Sequence, residues 1–578
     1  MTNQRKTLAT IGLAAGLLLA VAALLISNRA IELALLSDAG RSLSWGATLF
    51  RALLFVHAMS LVVVCVRLMK KSVSKPPSLS SSNPQRTETN RNVWLALLVL
   101  SVIALVLRLW RLNTDLWFDE LLTLLNFVRM PIGDILTRLP DQNNHILFSI
   151  LSHASVRIFG ESAWAVRLPS VVFGVMSLWA LFLLGRKVLD SREALLATTL
   201  MTVSYHHIWF SQNARGYMGL LFFSLLSTWI WIEALERQRW GWWIAYSVAA
   251  AAGMWTHLTM VFVVLTHALV YAGTLLVLLV RKQPVRPRLS WGPFLAMLLG
   301  ATFTLQLYAL ALPEFLSVGL HEVSLESEWT SPWWVVTETI RNLRIGFSGV
   351  VIVFGGALMV TLGWLSLLRR SAQSALILVL SPVIAGGTMV ALGHNLWPRF
   401  FFFAMGFALL IVVHGAMIFP TLITDRFTSL PLAQSLSATA GLATACLMIV
   451  ASAVTVPRNY AHPKQDYSGA RDYVESQRGP NDVVVAVGLA GVAYRSYFAP
   501  TWSVAQTEAE LDALRQGRKN VWLIYTLPVE VKAYRQDVWQ IIQSDFAIVK
   551  VFPGTLGGGE IVVCRQLPLA GRQVAMTR

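Results

Sequence analysis

Long apolar stretches separated by short polar segments fill most of the first 456 residues of the chain. A helix that crosses a bilayer needs about 20 predominantly apolar residues, and thirteen stretches have or approach this length. Two of them, 193–209 and 242–258, are short enough to be reentrant or tilted instead. The predicted spans are residues 8–27, 47–68, 93–111, 166–185, 193–209, 217–235, 242–258, 260–280, 292–312, 345–367, 374–392, 399–419 and 434–456. The pattern predicts an α-helical polytopic membrane protein with about 13 transmembrane helices.

The pattern changes from about Arg458 onward, where the apolar runs shorten to the length of β-strands. Runs rich in β-branched residues alternate there with helical patterns, which is typical of a small α/β domain. The predicted strands are 482–488, 520–526, 546–552 and 560–566, and the predicted helices are 467–478 and 529–545. The glycine-rich turn 553–560 joins two strands as a hairpin and does not open a helix, so we reject it as a phosphate-binding loop.

These patterns divide the chain into four parts. A segment rich in Ser, Pro and Lys separates the first two predicted spans from the others, and we expect it to be flexible and cytoplasmic. The parts are two N-terminal transmembrane helices (1–70), this linker (71–92), a transmembrane core with an exterior loop at 112–165 (93–456) and an extracytoplasmic α/β domain (457–578).

The composition and the charge of the chain exclude several other classes of protein. Hydrophobic residues make up 55% of the chain and charged residues only 13%, against about 25% charged residues in an average soluble domain. This balance excludes a soluble multidomain protein and a disordered one. The three cysteines, Cys65, Cys446 and Cys564, exclude a disulfide scaffold and a cysteine-rich zinc module.

The net charge of +17 is explained by an uneven distribution of Lys and Arg across the membrane. With the N-terminus in the cytoplasm, the cytoplasmic loops hold 20 basic residues and the exterior loops before the α/β domain hold 10. This asymmetry follows the positive-inside rule. It predicts a multi-pass protein of the plasma (inner) membrane whose C-terminal domain lies outside, with membrane lipids around it and no need for a nucleic-acid partner.

The exterior loop 112–165 contains two amphipathic helical patterns of the kind that lie in the membrane interface. The adjacent carboxylates Asp119 and Glu120 open the first of these patterns. One interpretation is structural, with Asp115 or Asp119 capping a helix and Glu120 complementing its dipole. The other is chemical, with a carboxylate at the edge of a bilayer cavity acting as a general base.

Two arginines, Arg215 and Arg399, lie at the outer ends of predicted spans. Each one alone is explained by anchoring at the membrane interface. Together, at the same leaflet as a carboxylate-bearing loop, they also suit a phosphate headgroup that needs bidentate donors. Four further residues are predicted near this depth, as structural groups or as part of a site: His145, Gln212, Tyr217 and His257.

Several short motifs follow one another in a characteristic order. They are W-x-D-E at 117–120, N-H at 144–145, F-G-E…R-L-P-S at 159–170, G-R-K at 185–187, S-Q-x-A-R-x-Y at 211–217, P-R-F at 398–400 and K-Q-D-Y-S-G-A-R-D-Y at 464–473. This ordered set, over roughly residues 93–475, resembles the GT-C membrane glycosyltransferases of the glycosyltransferase family 39 type. That group includes the protein mannosyltransferases and the aminoarabinose transferases of lipid A.

The resemblance implies transfer of a sugar from a polyprenyl-phosphate donor to an acceptor on the exterior side, with inversion at the anomeric carbon. It implies that Asp119 and Glu120 form the catalytic pair, with Asp119 as the base for the acceptor hydroxyl, and that Arg215 and Arg399 bind the donor phosphate. The residues implied to line the cavity are His145, Gln212, Tyr217 and His257. The acceptor is a lipid, a polysaccharide or a protein. No cofactor is required, and a divalent cation at the two carboxylates stays open.

Two other classes of function are compatible with the sequence. One is a lipid or solute transporter or flippase without transferase activity, and the other is a non-catalytic scaffold that presents the α/β domain. Transporters place ionisable residues near the bilayer midplane, whereas the ionisable residues of this chain collect at one leaflet. That distribution favours chemistry at the exterior surface.

Overall fold

The computed structural model describes residues 2–70, 91–141, 143–284, 287–319, 350–393, 396–424, 431–516 and 520–568, with a few positions between 331 and 341. Within these ranges nine helices are long and apolar enough to cross a membrane, and a tenth is added if the bent pair Trp291–Tyr308 and Leu312–Gly319 forms one span. The predicted class, a polytopic α-helical membrane protein with a small C-terminal α/β domain, is confirmed.

The helical part precedes the sheet. Its helices are α1 (Thr2–Leu25), α2 (Asn28–Leu35), α3 (Gly46–Lys70), α4 (Arg91–Leu109), α5 (Phe118–Thr123), α6 (Ile132–Thr137), α7 (Ile146–Phe159), α8 (Ala163–Val188), α9 (Ser191–Thr202), α10 (Tyr205–Ser211), α11 (Tyr217–Arg237), α12 (Trp240–Thr256), α13 (Met260–Val280), α14 (Pro287–Tyr308), α15 (Leu312–Glu314), α16 (Val350–Arg370), α17 (Ala372–Ala391), α18 (Met405–Thr424) and α19 (Pro431–Thr455). Short 3-10 turns, Pro398–Ala404 and Val456–Tyr460, precede α18 and follow α19.

Each of the thirteen predicted spans overlaps a helix or a pair of helices. The stretch 193–209 is interrupted, because α9 ends at Thr202 and α10 begins at Tyr205. The fully buried Arg108 lies at this break and donates from Nη1 to the Thr202 carbonyl at 3.3 Å. A carbonyl at the end of a helix lacks an intrahelical donor, so the guanidinium satisfies a group that the break exposes.

The exterior loop between α4 and α8 folds into α5, α6 and α7, with a π-turn at Leu124–Val128 continuing α5. The amphipathic patterns predicted helices in the membrane interface, but much of their apolar surface packs against the α/β domain. One continuous hydrophobic core contains Leu121 and Phe148 of the loop together with Tyr494 and Trp502 of the domain. The loop and the domain are therefore packed as one unit.

The α/β domain contains a five-stranded sheet in the order β2-β1-β3-β5-β4. Strand β1 is parallel to β2 and β3, whereas β5 is antiparallel to β3 and β4. Its elements are α20 (Tyr467–Gln477), β1 (Val483–Val487), α21 (Leu489–Ala493), β2 (Ser503–Ala505), α22 (Glu508–Arg515), β3 (Val521–Thr526), α23 (Pro528–Tyr534), α24 (Gln536–Asp545), β4 (Phe546–Phe552) and β5 (Ile561–Gln566). The four predicted strands and the terminal hairpin are present, and the three-residue β2 is an addition.

The N-terminal helices α1 and α3 pack along each other and reach the exterior loop through the segment that joins them. Arg41 in this segment donates to the Thr137 carbonyl at 2.6 Å and to Glu314 Oε2 at 3.2 Å. Residues 71–90, which make up nearly all of the predicted linker, lie outside the described residues.

Candidate active site

Asp119 is the second residue of α5, in the loop between α4 and α8. Its carboxylate lies 3.2 Å from Arg399 Nη1, and the carboxylate side chain is 15% exposed. The buried Oδ2 atom accepts no hydrogen bond within the described residues. A carboxylate near a helix N-terminus is stabilised by the helix dipole, and the Oδ2 atom is also the one that pairs with Arg399.

Glu120 is completely buried and faces a different set of groups. Arg167 donates to both of its oxygens, from Nε at 2.8 Å and from Nη2 at 2.6 Å. The backbone N–H groups of Ala214 and Trp117 donate at 2.7 and 3.1 Å, and Lys464 Nζ lies 3.7 Å from Oε1. Desolvation favours the neutral carboxyl, but these cations and hydrogen bonds together hold the Glu120 pKa below its ordinary value. The adjacent carboxylates therefore do not share one environment.

The two predicted phosphate-binding arginines approach α5 from different elements. Arg215, in the turn between α10 and α11, donates to Thr123 Oγ1 at 3.1 Å and to Asn143 Oδ1 at 2.8 Å. Arg399, in the 3-10 turn before α18, lies over the Trp397 ring at 4.6 Å. Neither Nε atom has a hydrogen-bond partner within the described residues. Both guanidinium groups thus keep donor capacity beside the helix that carries the carboxylate.

Three of the predicted cavity-lining residues form a stacked group. The rings of His145 and His257 have centroids 4.6 Å apart, and Tyr217 lies 5.8 Å from the first and 5.2 Å from the second. Both histidine Nε2 atoms are buried without a hydrogen-bond partner in the part of the chain that the structure describes. Burial, followed by the charges of Arg215, His257 and Arg399, holds the His145 pKa well below its usual value. His145 is therefore neutral at physiological pH.

Gln212, the fourth predicted cavity residue, is engaged in a different set of contacts. Its amide nitrogen donates to the carbonyls of Arg108 and Trp110 at 3.0 and 2.7 Å, and its oxygen accepts from Asn459 at 2.9 Å. These bonds tie the end of α4 to the segment that follows α19. Gln212 fixes the turn before Arg215, and its side chain does not join the stacked histidine group.

The two carboxylates do not fit a divalent cation between them. Both Glu120 oxygens are taken by nitrogen donors, while Asp119 faces Arg399. Among the described residues no three His, Cys, Asp or Glu side chains are grouped as metal ligands. Hard cations such as Mg²⁺ and Ca²⁺ need several oxygen ligands, which this arrangement does not supply.

Arg167 and Lys464 are site residues to which the sequence analysis assigned no role. Both lie in motifs recognised from the sequence, R-L-P-S and K-Q-D-Y-S, but nothing in those motifs indicates a shared partner. Glu120 itself is the signal in the sequence that could have indicated such partners, because a carboxylate that is buried beside aromatic residues requires a cationic partner. Arg167 lies 47 residues and Lys464 344 residues from Glu120 along the chain, so only the folded structure shows that both contact it.

Comparisons with known proteins were made for the sequence and for the fold. Residues 144–308 match the family described as dolichyl-phosphate-mannose-protein mannosyltransferase. No curated protein matches the chain in sequence.

Several solved structures are similar at low sequence identity. ArnT from Cupriavidus metallidurans in the apo state aligns with a TM-score of 0.47 and 13% identity, over 82% of this chain and 98% of that one. The Archaeoglobus fulgidus oligosaccharyltransferase aligns with a TM-score of 0.45 and 10% identity, over 79% of this chain and 73% of that one. The arabinosyltransferase EmbB from Mycobacterium smegmatis aligns with a TM-score of 0.41 and 14% identity, over 73% and 46%.

The matched segment contains much of the site. It begins at Asn144, includes His145, Arg167 and the turn with Arg215, and ends in α14. The resemblance inferred from the order of motifs is thus confirmed over residues 144–308, which have the sequence pattern of the dolichyl-phosphate-mannose-protein mannosyltransferase family.

Proposed function

We propose that the protein is a glycosyltransferase that moves a sugar from a polyprenyl-phosphate donor to an acceptor hydroxyl on the extracytoplasmic side of the membrane. One observation carries this proposal: Asp119 Oδ2 pairs with Arg399 at 3.2 Å and Arg215 donates to Thr123 Oγ1 at 3.1 Å, so that both arginines contact the same short helix. The side chains to which we assign the roles of base and of phosphate binding thereby meet at one helix.

The reaction needs little more than these groups. Asp119 takes the proton of the acceptor hydroxyl, the acceptor oxygen attacks the anomeric carbon, and the bond from that carbon to the phosphate oxygen breaks. Glycoside hydrolysis needs a second carboxyl to protonate a poor leaving group, but a polyprenyl phosphate leaves as a stable anion. Cationic donors placed at the departing phosphate then supply the main stabilisation, and we assign this role to Arg215 and Arg399.

The ion pair between Asp119 and Arg399 suggests how the donor prepares the base. A phosphate that binds Arg399 competes with Asp119 for the same guanidinium and loosens the pair. Loss of a cationic neighbour raises the basicity of a carboxylate. Donor binding is therefore expected to precede proton transfer from the acceptor.

We assign Glu120 a positioning role in place of the catalytic role that the resemblance implies. Its oxygens accept from Arg167, Ala214 and Trp117, and proton transfer would require breaking these bonds. Its charge holds α5 against α8 and against the turn before α11. This places Asp119, one residue earlier, at a fixed position relative to Arg215.

The family description supports a polyprenyl-phosphate donor, because dolichyl phosphate mannose is named in it. For this chain the sugar and the class of acceptor, whether lipid, polysaccharide or protein, are left to experiment. The orientation that follows from the positive-inside rule supports a site on the exterior side.

A transfer assay tests the proposal. The purified protein in proteoliposomes is given radiolabelled dolichyl phosphate mannose, or undecaprenyl phosphate carrying mannose, glucose or aminoarabinose, with a membrane-lipid and glycan extract as acceptor. We expect transfer from at least one donor and its loss in the double variant Arg215→Met/Arg399→Met. Movement of the donor lipid across the bilayer without transfer would contradict the proposal and favour a flippase.

A further inference from the structure

The α/β domain meets the exterior loop through its first segment, Lys464–Ser468, directly beside the candidate base. Two helices begin at this junction, α5 in the loop and α20 in the domain. The first N–H groups of a helix have no partner within that helix and need acceptors from elsewhere. At this junction each helix receives an acceptor from the other segment.

Gln465 caps the helix that carries Asp119. Its Oε1 atom accepts the Phe118 N–H at 2.8 Å, and Phe118 is the residue directly before Asp119. Its amide nitrogen donates to Thr526 Oγ1 at 2.8 Å, at the end of strand β3. Gln465 is completely buried. One side chain therefore connects the first turn of α5 to the central sheet.

Asp115 of the loop caps the helix of the domain in return. It accepts the Ser468 N–H at 2.7 Å and the Ser468 hydroxyl at 2.9 Å, at the first turn of α20. Asp466 provides the local cap by accepting the Gly469 N–H at 3.0 Å. The structural interpretation of Asp115 as a helix cap is thus realised, but on a helix of the other domain.

Lys464 extends the same junction to the buried carboxylate. Its ammonium lies 3.7 Å from Glu120 Oε1 and 5.1 Å from the centre of the Trp209 ring, and it donates to the Gln212 carbonyl. The segment therefore contacts the loop on both sides of Asp119, at Phe118 and at Glu120.

The short length of α5 gives these contacts their importance. It has six residues, whereas isolated helices shorter than about 12–15 residues are marginal in water. Its direction is therefore set by groups outside it. On the side of Phe118 that group is Gln465, which is itself held by the sheet.

We propose that Gln465 is a positioning residue for Asp119, and that the α/β domain serves the reaction by fixing the helix that carries the base. This inference rests on the proposed function. It gives the C-terminal domain a role in the chemistry although the domain supplies no reacting group.

The test is the variant Gln465→Leu, which roughly keeps the size of the side chain and removes its three hydrogen bonds, to the Phe118 N–H, to Thr526 Oγ1 and to the Tyr467 hydroxyl. With the donor that wild-type protein uses, we expect kcat to fall about 10- to 100-fold, because small misplacements of a catalytic group have effects of this order. The KM for the donor should change by less than about twofold, since Arg215 and Arg399 are untouched. Hydrogen exchange of the Phe118 amide, followed by mass spectrometry, should be faster.

Two further variants make the result specific. Gln465→Glu keeps an acceptor for the Phe118 N–H and should recover most of the lost kcat. Gln516→Leu, at an exposed position after α22 in the same domain, should match wild type in every measurement. If Gln465→Leu does not fold, Thr526→Val decides the question, because it removes the bond that holds the Gln465 amide to the sheet and keeps the Gln465 acceptor for the Phe118 N–H.

An unchanged kcat in Gln465→Leu, or in Thr526→Val where that variant is the one that folds, would overturn the inference. So would a higher donor KM at unchanged kcat. These results differ from failure of the proposed function. If the proposed function is wrong, wild-type protein transfers no sugar. Hydrogen exchange of the Phe118 amide is then the only measured quantity that changes in Gln465→Leu.

Discussion

Asp119 and Glu120 are neighbours in sequence with opposite environments. Asp119 is partly exposed and paired with one arginine at 3.2 Å, whereas Glu120 is buried among four donors. The motif W-x-D-E indicated that carboxylates matter here, but it did not separate their roles. That separation depends on Arg167 and Lys464, and no local pattern predicts contacts between residues so far apart in the chain.

The variant Glu120→Gln tests this separation. An amide cannot neutralise Arg167, so this buried cation loses its counter-ion, whereas burial already lowers the pKa of Lys464 to about 7 and allows it to lose its proton. Breaking a buried ion pair typically costs about 3–5 kcal/mol, and we expect a clear fall in the melting temperature of the detergent-solubilised protein. Glu161→Gln is the matched control, because its pair with Arg129 is largely exposed and such pairs contribute about 0–1 kcal/mol. Equal melting temperatures for the two variants would contradict the positioning role.

The burial of His145 predicts how the stability of the protein depends on pH. Its pKa in the folded protein is well below 6.5, because of burial and the charges of Arg215, His257 and Arg399. The unfolded chain therefore binds the proton first as the pH falls. Stability that is fully present above about pH 6.5 should decline below it. Thermal melting between pH 7.5 and 5 should show this decline, and the decline should be shallower in His145→Gln. An identical pH dependence in both proteins would count against a buried neutral imidazole.

At the scale of elements, the long helices were predictable and the short or interrupted ones were not. Apolar runs of about 20 residues indicate a spanning helix by length alone, and the thirteen runs overlap helices. The break between α9 and α10 was not predicted, although polar residues surround it (Thr202, Ser204, His206 and His207). Arg108, which donates to the Thr202 carbonyl, comes from another helix. Strand β2 was missed because three residues carry too little pattern. The amphipathic pattern of the loop helices did not predict their packing partner, because part of their apolar side packs on the α/β domain.

At the scale of the whole molecule, the exterior loop and the α/β domain form one packed unit over the candidate base. The loop shares a hydrophobic core with the domain, and two helices at the junction are capped from the opposite segment. The motif K-Q-D-Y-S could be recognised from the sequence, but its contacts with the loop could not. A mutation in this domain is therefore expected to affect transfer without contacting the substrate.

The orientation of the chain is a prediction at the same scale. The excess of Lys and Arg in alternate loops predicts a cytoplasmic N-terminus and an exterior α/β domain. Alkaline phosphatase fused after Arg578 should be active, and green fluorescent protein at that position should not fluoresce. The opposite pair of results would place the candidate site in the cytoplasm and remove the proposed exterior reaction.

The central claim is that Asp119 is the base for transfer from a polyprenyl phosphate. The most direct measurement compares wild type, Asp119→Asn and the exposed control Asp472→Asn in the proteoliposome transfer assay, together with binding of undecaprenyl phosphate. General base catalysis contributes about 10²- to 10⁴-fold. We expect a loss of that size in Asp119→Asn, with undecaprenyl phosphate binding and melting temperature retained, and wild-type transfer by Asp472→Asn. Wild-type transfer by a folded Asp119→Asn protein would contradict it.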